Sequence, residues 1–250
     1  MRSALLLSCL AACSTAAPIF ENFYDFSNDM AEFLGRVSKR IGSAKDMFDS
    51  SLSCDASSIA LPSFASGLPA PSGTPLYVAL GRGTQNYTCA DSTSSSTPEA
   101  IGAVARLYNA TCFASTFPDM IELLPAIAYR VTLPENESDP LPPSNFNLLG
   151  HHFFEGSVPV FNLDTTPDHQ LGIAKLKKDA VLNAPTTAVK GANGAASWLY
   201  LSATNGSVPL DQFMGVYRVD TAGGDAPETC DGMPEEFTVQ YAANYYIYGQ

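Results

Sequence analysis

The sequence predicts an all-β protein, an antiparallel sandwich or barrel preceded by an N-terminal amphipathic helix and a Pro/Ser-rich wrap. Three observations carry that expectation. Short segments of alternating polarity recur from residue 74 onward with no helical segments between them. Pro and Gly, 18 of each, interrupt the chain too often for long helices. The last segment alternates throughout: Phe237, Val239, Tyr241, Ala243, Tyr245 and Ile247 share one face, and Thr238, Gln240, Ala242, Asn244 and Tyr246 the other. That pattern puts Val239, Tyr241, Ala243 and Tyr245 in the core and turns Gln240 and Asn244 toward solvent or a cavity.

The chain opens MRSALLLSCLAACSTAAP, with Arg2 before an apolar run from Ala4 to Cys13 and then small residues. This is the layout of a secretory signal, so residues 1–16 are expected to be cleaved after Ala16 and the protein to be extracellular. The run is shorter than the roughly 20 apolar residues of a spanning helix. The later apolar stretch at Met120–Tyr129 contains Glu122 and Pro125, so no membrane span is expected. Over residues 17–42, Ile19, Phe23, Phe26, Met30, Phe33, Val37 and Ile41 recur at helical spacing, predicting an amphipathic helix. Lys39-Arg40 within it is a candidate dibasic cleavage site, which would make the segment a pro-peptide. Residues 43–73 read as a Ser/Pro-rich linker, and 74–250 as a single all-β domain.

Within that domain strands are expected at Leu76–Leu80, Thr84–Cys89 and Ala103–Tyr108. Ile127, Tyr129, Val131 and Leu133 alternate and predict another. Further strands fall at Gly150–Phe154, Val158–Leu163, Gly172–Leu182, Trp198–Ala203, Gly215–Thr221 and the final segment. Gly81-Arg82-Gly83 reads as a turn or bulge between the first two.

Removal of the signal takes away Cys9 and Cys13 and leaves Cys54, Cys89, Cys112 and Cys230. Four cysteines in an exported chain imply two disulfides, with three connectivities open. Sequons begin at Asn86, Asn109, Asn136 and Asn205, each a candidate N-glycosylation site. Acidic residues outnumber basic ones 25 to 13, for a net charge of −12. With no basic stripe to offset it, this balance argues against nucleic acid and anionic membranes as partners.

No residue qualifies as catalytic and no cofactor or metal is expected. LYVALGRG leads an apolar segment into Gly81-x-Gly83, but Asn86 stands where the third small residue of a dinucleotide fingerprint belongs, and Tyr87-Thr88-Cys89 continue as strand. A nicotinamide-dependent dehydrogenase is therefore rejected. His151 and His152, adjacent on a strand, must point to opposite faces. His152 with Asp164 or Glu155 would be the nearest approach to a metal set, without supporting spacing. The candidate binding residues are Arg82, Gln85, His152, Arg218 and Asp220. An Arg can clamp an anion or pair with a carboxylate, and Arg218 and Asp220, two apart, are expected on one strand face. Of the terminal tyrosines, Tyr246 and Tyr248 remain as exposed candidates for a sugar platform.

In order, GRGTQNYTC, GHHFF, AASWLYL, GVYRVDTAGGDAP with Cys230 beyond it, and VQYAANYYIY resemble a secreted fungal family with bacterial relatives, catalogued as a domain of unknown function. The resemblance spans about Leu76 to Tyr248. After Gly150-His151-His152 the relatives continue Gly-Pro-x-Trp, which this chain lacks. Some relatives carry a malate dehydrogenase label, at odds with the residues above. The resemblance implies that Cys89, in the Gln-x-Tyr-x-Cys element, partners Cys230, beyond the Gly-Gly-x-Ala-Pro loop. Cys54–Cys112 is then the remaining pair, tying the wrap to the domain.

The function expected is that of a non-enzymatic, disulfide-bonded extracellular glycoprotein at a cell wall or host interface, with a wall polysaccharide or a host protein as candidate partners. The alternatives are a small-ligand or carbohydrate binder using a barrel mouth around Arg82, Gln85 and Arg218, and a metal-dependent hydrolase near His152.

Overall fold

A computed structural model describes residues 54–250, apart from 143, 168, 210 and 211. The expected signal, the helix with Lys39-Arg40 and the first part of the linker lie outside the described residues.

Eight antiparallel strands run up and down in sequence order: β1 Thr74–Thr88, β2 Glu99–Asn109, β3 Leu148–Glu155, β4 Val158–Thr166, β5 His169–Leu182, β6 Trp198–Ala203, β7 Phe213–Gly223 and β8 Glu236–Gly249. Along its length β8 pairs with β1, which closes the sheet into a barrel. Two short helices, α1 Thr111–Thr116 and α2 Leu124–Arg130, occupy the β2–β3 connection. Two disulfides are present, Cys54–Cys112 and Cys89–Cys230. Among the described residues no helix is long and apolar enough to cross a membrane.

Alternation along the strands produces the barrel core. Leu107, Leu149, Phe161, Leu163, Phe213, Val216 and Ile247 pack inside with Tyr241 and Tyr245. A second apolar cluster lies outside. There α2 and the 3-10 turns Ala56–Ser58 and Ser63–Gly67 cover the outer faces of β1, β7 and β8, burying Ile59, Leu68, Leu124, Ile127, Tyr217 and Val219. The described part of the Ser/Pro-rich stretch thus lies against the barrel, held at one end by Cys54–Cys112.

This outer layer alters the reading of β8, because residues 241–249 are buried on both faces. Tyr246 and Tyr248, expected to be exposed, are 1% and 4% exposed between the barrel and its cover. Asn244, expected to face solvent or a cavity, is fully buried and donates to the Ile121 carbonyl. Val239, expected in the core, pairs with Gln85 of β1 and is half-buried, and Gln240 is exposed.

The first part of the expected strand at 127–133 is the end of the helix α2, and residues 131–133 follow it without regular structure. Leu124, Ile127 and Ala128 share its buried face at helical spacing, and Pro125 in the first turn supplies a φ already suited to a helix. The alternation of Ile127, Tyr129, Val131 and Leu133 was too short to tell the two periods apart. The Gly81-Arg82-Gly83 segment, expected as a turn or bulge, is mid-strand in β1. A Cβ on Gly81 would lie 2.4 Å from the Tyr245 ring, and one on Gly83 1.9 Å from the Val104 carbonyl oxygen. These glycines permit close approach, and the register shift of the β1–β2 pair comes later, at Asn86/Tyr87.

Candidate functional site

One end of the barrel is open and holds a cavity of about 980 Å³. The C-terminal parts of β1, β3, β5 and β7 and the N-terminal parts of β2, β4, β6 and β8 meet at this mouth. Two of its loops, β1–β2 and β7–β8, are joined by Cys89–Cys230, and the Cys230 amide donates to the Ser96 carbonyl. At the end of β7 and the start of the β7–β8 loop, Gly223 and Gly224 have φ of +63° and +95°, a conformation that favours glycine. The turn they make lets the Gly224 carbonyl accept from the Tyr87 hydroxyl at 2.7 Å.

Three expected residues converge on the cavity: Gln85 from β1, His152 from β3 and Arg218 from β7, exposed by 7%, 4% and 8%. The Arg218 guanidinium donates from Nε (3.2 Å) and Nη2 (2.8 Å) to the Ser197 carbonyl, and from Nη1 to Gln85 Oε1 at 3.1 Å. These acceptors are neutral, and among the described residues no carboxylate pairs with Arg218. A buried cation held only by dipoles is costly unless something compensates it. Since a guanidinium can only donate, its bond to Gln85 fixes the amide: Oε1 faces Arg218, and Nε2 is a buried donor that makes no well-formed hydrogen bond, with the Tyr241 hydroxyl as the group it acts on.

His152 stacks on Phe161 with ring centroids 4.2 Å apart. Its Nδ1 donates to the Val160 carbonyl at 2.9 Å, so Nε2 is left as an acceptor. Burial lowers its pKa to about 4; the Val160 bond opposes this and the Arg218 charge adds to it, so the ring is neutral at physiological pH. Tyr245 also reaches the cavity, with its hydroxyl 2.7 Å from that of Tyr241. Burial raises the pKa of both phenols. Around the polar floor the wall is apolar: Ala103, Phe154, Val158, Pro159, Leu176, Leu199 and Leu201. At the rim Ile101 and Val181 are 45% and 54% exposed.

The other two expected residues lie elsewhere. Arg82, placed by sequence at the mouth, points out of the barrel. It donates to the Ala128 carbonyl from Nε (2.8 Å) and to the Tyr129 carbonyl from Nη2 (3.3 Å), holding the last turn of α2 against β1. Strand alternation explains the separation: Gln85 is three residues on and faces inward. Asp220, expected on the face of Arg218, does not share it. Two residues of β7 fill the step between the Val219–Asn244 and Ala222–Ala242 pairs, and Asp220 has φ +52° in that bulge. Its carboxylate turns outward, where Asn244 Nδ2 donates to it at 2.9 Å.

His151 faces outward from the barrel, 3.1 Å from Glu137. Asp164 accepts from the Gly172 amide and Glu155 pairs with Lys175, so neither joins His152. Among the described residues no group of three or more His, Cys, Asp or Glu side chains gathers to hold a metal. Of the sequon residues Asn86 is half-buried, while Asn109, Asn136 and Asn205 are exposed. Sequence reasoning missed Ser197 and the rim residues, which the closure of the barrel brings to the cavity and which carry no local signal.

A family model described as "Protein of unknown function (DUF3455)" matches residues 69–249, the whole barrel. A second, described as "Protein of unknown function (DUF2990)", matches residues 8–69. No curated protein matches the chain, and no solved structure does.

Proposed function

The chain belongs to the DUF3455 family, and we propose that it is an exported glycoprotein that holds a small molecule in the mouth of its barrel without transforming it. The supporting observation is the convergence of Gln85, His152 and Arg218 on one cavity, with a buried cation that has no counter-charge among the described residues and a buried amide donor that makes no well-formed hydrogen bond. Ligand sites are concave and mostly apolar, with a few polar groups that fix orientation, and pockets of ~300–1,000 Å³ are typical. Eight-stranded barrels are wide enough for side chains or one small ligand. Here the far end is filled by Phe213, Ile247, Leu149 and Leu163, and the near end is not.

Export is supported by the leader-like N-terminus and by the two disulfides, which persist in oxidising surroundings. The wall or the host surface remains the setting of the proposal, and the cavity its activity.

The test is a titration of the purified protein with a neutral, environment-sensitive fluorophore such as N-phenyl-1-naphthylamine. Saturable one-to-one binding is expected, weakened at least tenfold in a Leu199→Trp variant that keeps the wild-type melting temperature. Absence of saturable binding to the wild type would overturn the reading.

A further inference from the structure

Resting on the binder reading, the charge and polarity of the cavity narrow the ligand to one chemical class. We propose that the cavity takes an amphipathic monocarboxylic acid head first, its carboxylate on Arg218 and Gln85 and its apolar tail running out past Ile101 and Val181.

The cavity floor argues for an anion. Of the five N–H donors of a guanidinium, three of those on Arg218 go to Ser197 O and Gln85 Oε1. The guanidinium also acts on the Tyr245 hydroxyl, opposing the burial that raises that phenol. The charge itself is unneutralised. Gln85 Nε2 supplies a further N–H that makes no well-formed hydrogen bond, although the amide acts on the Tyr241 hydroxyl and opposes the burial that raises that phenol. A carboxylate takes up both shortages at once, since each of its oxygens accepts and its charge cancels that of the cation.

The count of charges limits the anion to one unit. Among the described residues Arg218 is the one cation on the buried floor, because His152 beside it is neutral. Lys177 and Lys178 also line the cavity but are exposed at its rim, and Lys177 is paired with Asp179 at 2.9 Å. Asp225, the carboxylate among the lining residues, is exposed at the rim as well and forms no ion pair with Arg218. A dianion such as a phosphate monoester would leave a buried negative charge without a partner. Rim lysines oppose the overall charge of −12 at the entrance and favour approach of an anion there.

The orientation follows from the division of the lining. Polar groups that lack partners are deep, whereas Phe154, Val158, Pro159, Leu199 and the exposed Ile101 and Val181 form the wall and lip. A tail lying along them covers apolar surface that otherwise faces water, which favours binding.

The experiment is displacement of N-phenyl-1-naphthylamine by dodecanoate, methyl dodecanoate, dodecanol and dodecylamine. Dodecanoate is expected to bind at least tenfold more tightly than any of the other three, and 11-(dansylamino)undecanoic acid, whose bulky label sits at the tail end, is expected to bind comparably. Gln85→Glu supplies an internal partner for Arg218. It is expected to lose at least tenfold in affinity for dodecanoate, as is Arg218→Met, and in both variants the ratio of acid to alcohol affinity falls with it. The inference is overturned if the alcohol binds as well as the acid, or if Gln85→Glu leaves dodecanoate affinity unchanged, while probe binding shows that the cavity reading survives. If the probe itself fails to bind, the cavity reading falls and this one with it.

Discussion

Two buried titratable side chains, on opposite faces of the barrel wall, have pKa values displaced in opposite directions. Asp220 keeps a little exposure, but its carboxyl is packed round by protein under the Ile121 turn. Burial raises its pKa to about 7; the Asn244 bond works against this and the Glu122 charge with it. A raised folded value means that the folded state holds the proton more tightly. The stability this gives is complete below the unfolded pKa near 4 and is lost as pH rises through about 7. His152, lowered to about 4, has the opposite sign: its contribution is complete above the unfolded value near 6.5 and is lost as pH falls through about 4. The two partly cancel between those limits. Asp220→Asn should therefore gain stability relative to wild type as pH rises from 5 to 8, measured by urea denaturation. Parallel profiles for the two proteins would contradict the assignment.

At the scale of elements, Arg82 seats a helix on a sheet. Its guanidinium satisfies the Ala128 and Tyr129 carbonyls at the C-terminus of α2, where helix carbonyls lack internal partners, and Gln240 Nε2 also donates to Tyr129. Burial lowers the pKa of Arg82, yet these acceptors hold it. Arg82→Met should cost about 1–3 kcal/mol in chemical denaturation and leave probe affinity in the mouth unchanged; a large loss of probe affinity would place Arg82 in the site after all. The strands were legible because a barrel wall has an inside and an outside, so Trp198–Ala203 and Val158–Leu163 alternated or ran apolar as strands do. Legibility failed where the outer layer covers β1, β7 and β8. There Tyr246, Tyr248 and Asn244 are buried on the face that alternation assigned to solvent. It failed again at α2, where four alternating residues matched a strand as well as a helix. The candidate site was legible as residue types, since a mid-strand Arg and a mid-strand Gln already call for partners. The bulge at Asp220 and the side of β1 on which Arg82 lies depend on register, which no local pattern encodes.

For the whole molecule, closure of β8 on β1 removes every sheet edge, and the filled far end leaves the mouth as the place where the barrel meets its surroundings. The disulfides act on the two parts separately. Cys54–Cys112 spans 58 residues and fastens the outer layer, while Cys89–Cys230 spans 141 and fastens the rim loops. In the chain-entropy model each constrains the unfolded chain by about 4–5 kcal/mol. On the binding proposal, rim loops fastened in this way lower the ordering cost of binding. The most direct measurement is a crystal structure of the protein with 11-bromoundecanoic acid, in which anomalous scattering locates the bromine. One bromine peak is expected at the mouth near Ile101 and Val181, with the carboxylate on the Arg218 guanidinium and Gln85 Nε2. A bromine at the cavity floor, or a ligand seated only on the outside of the barrel, would contradict it.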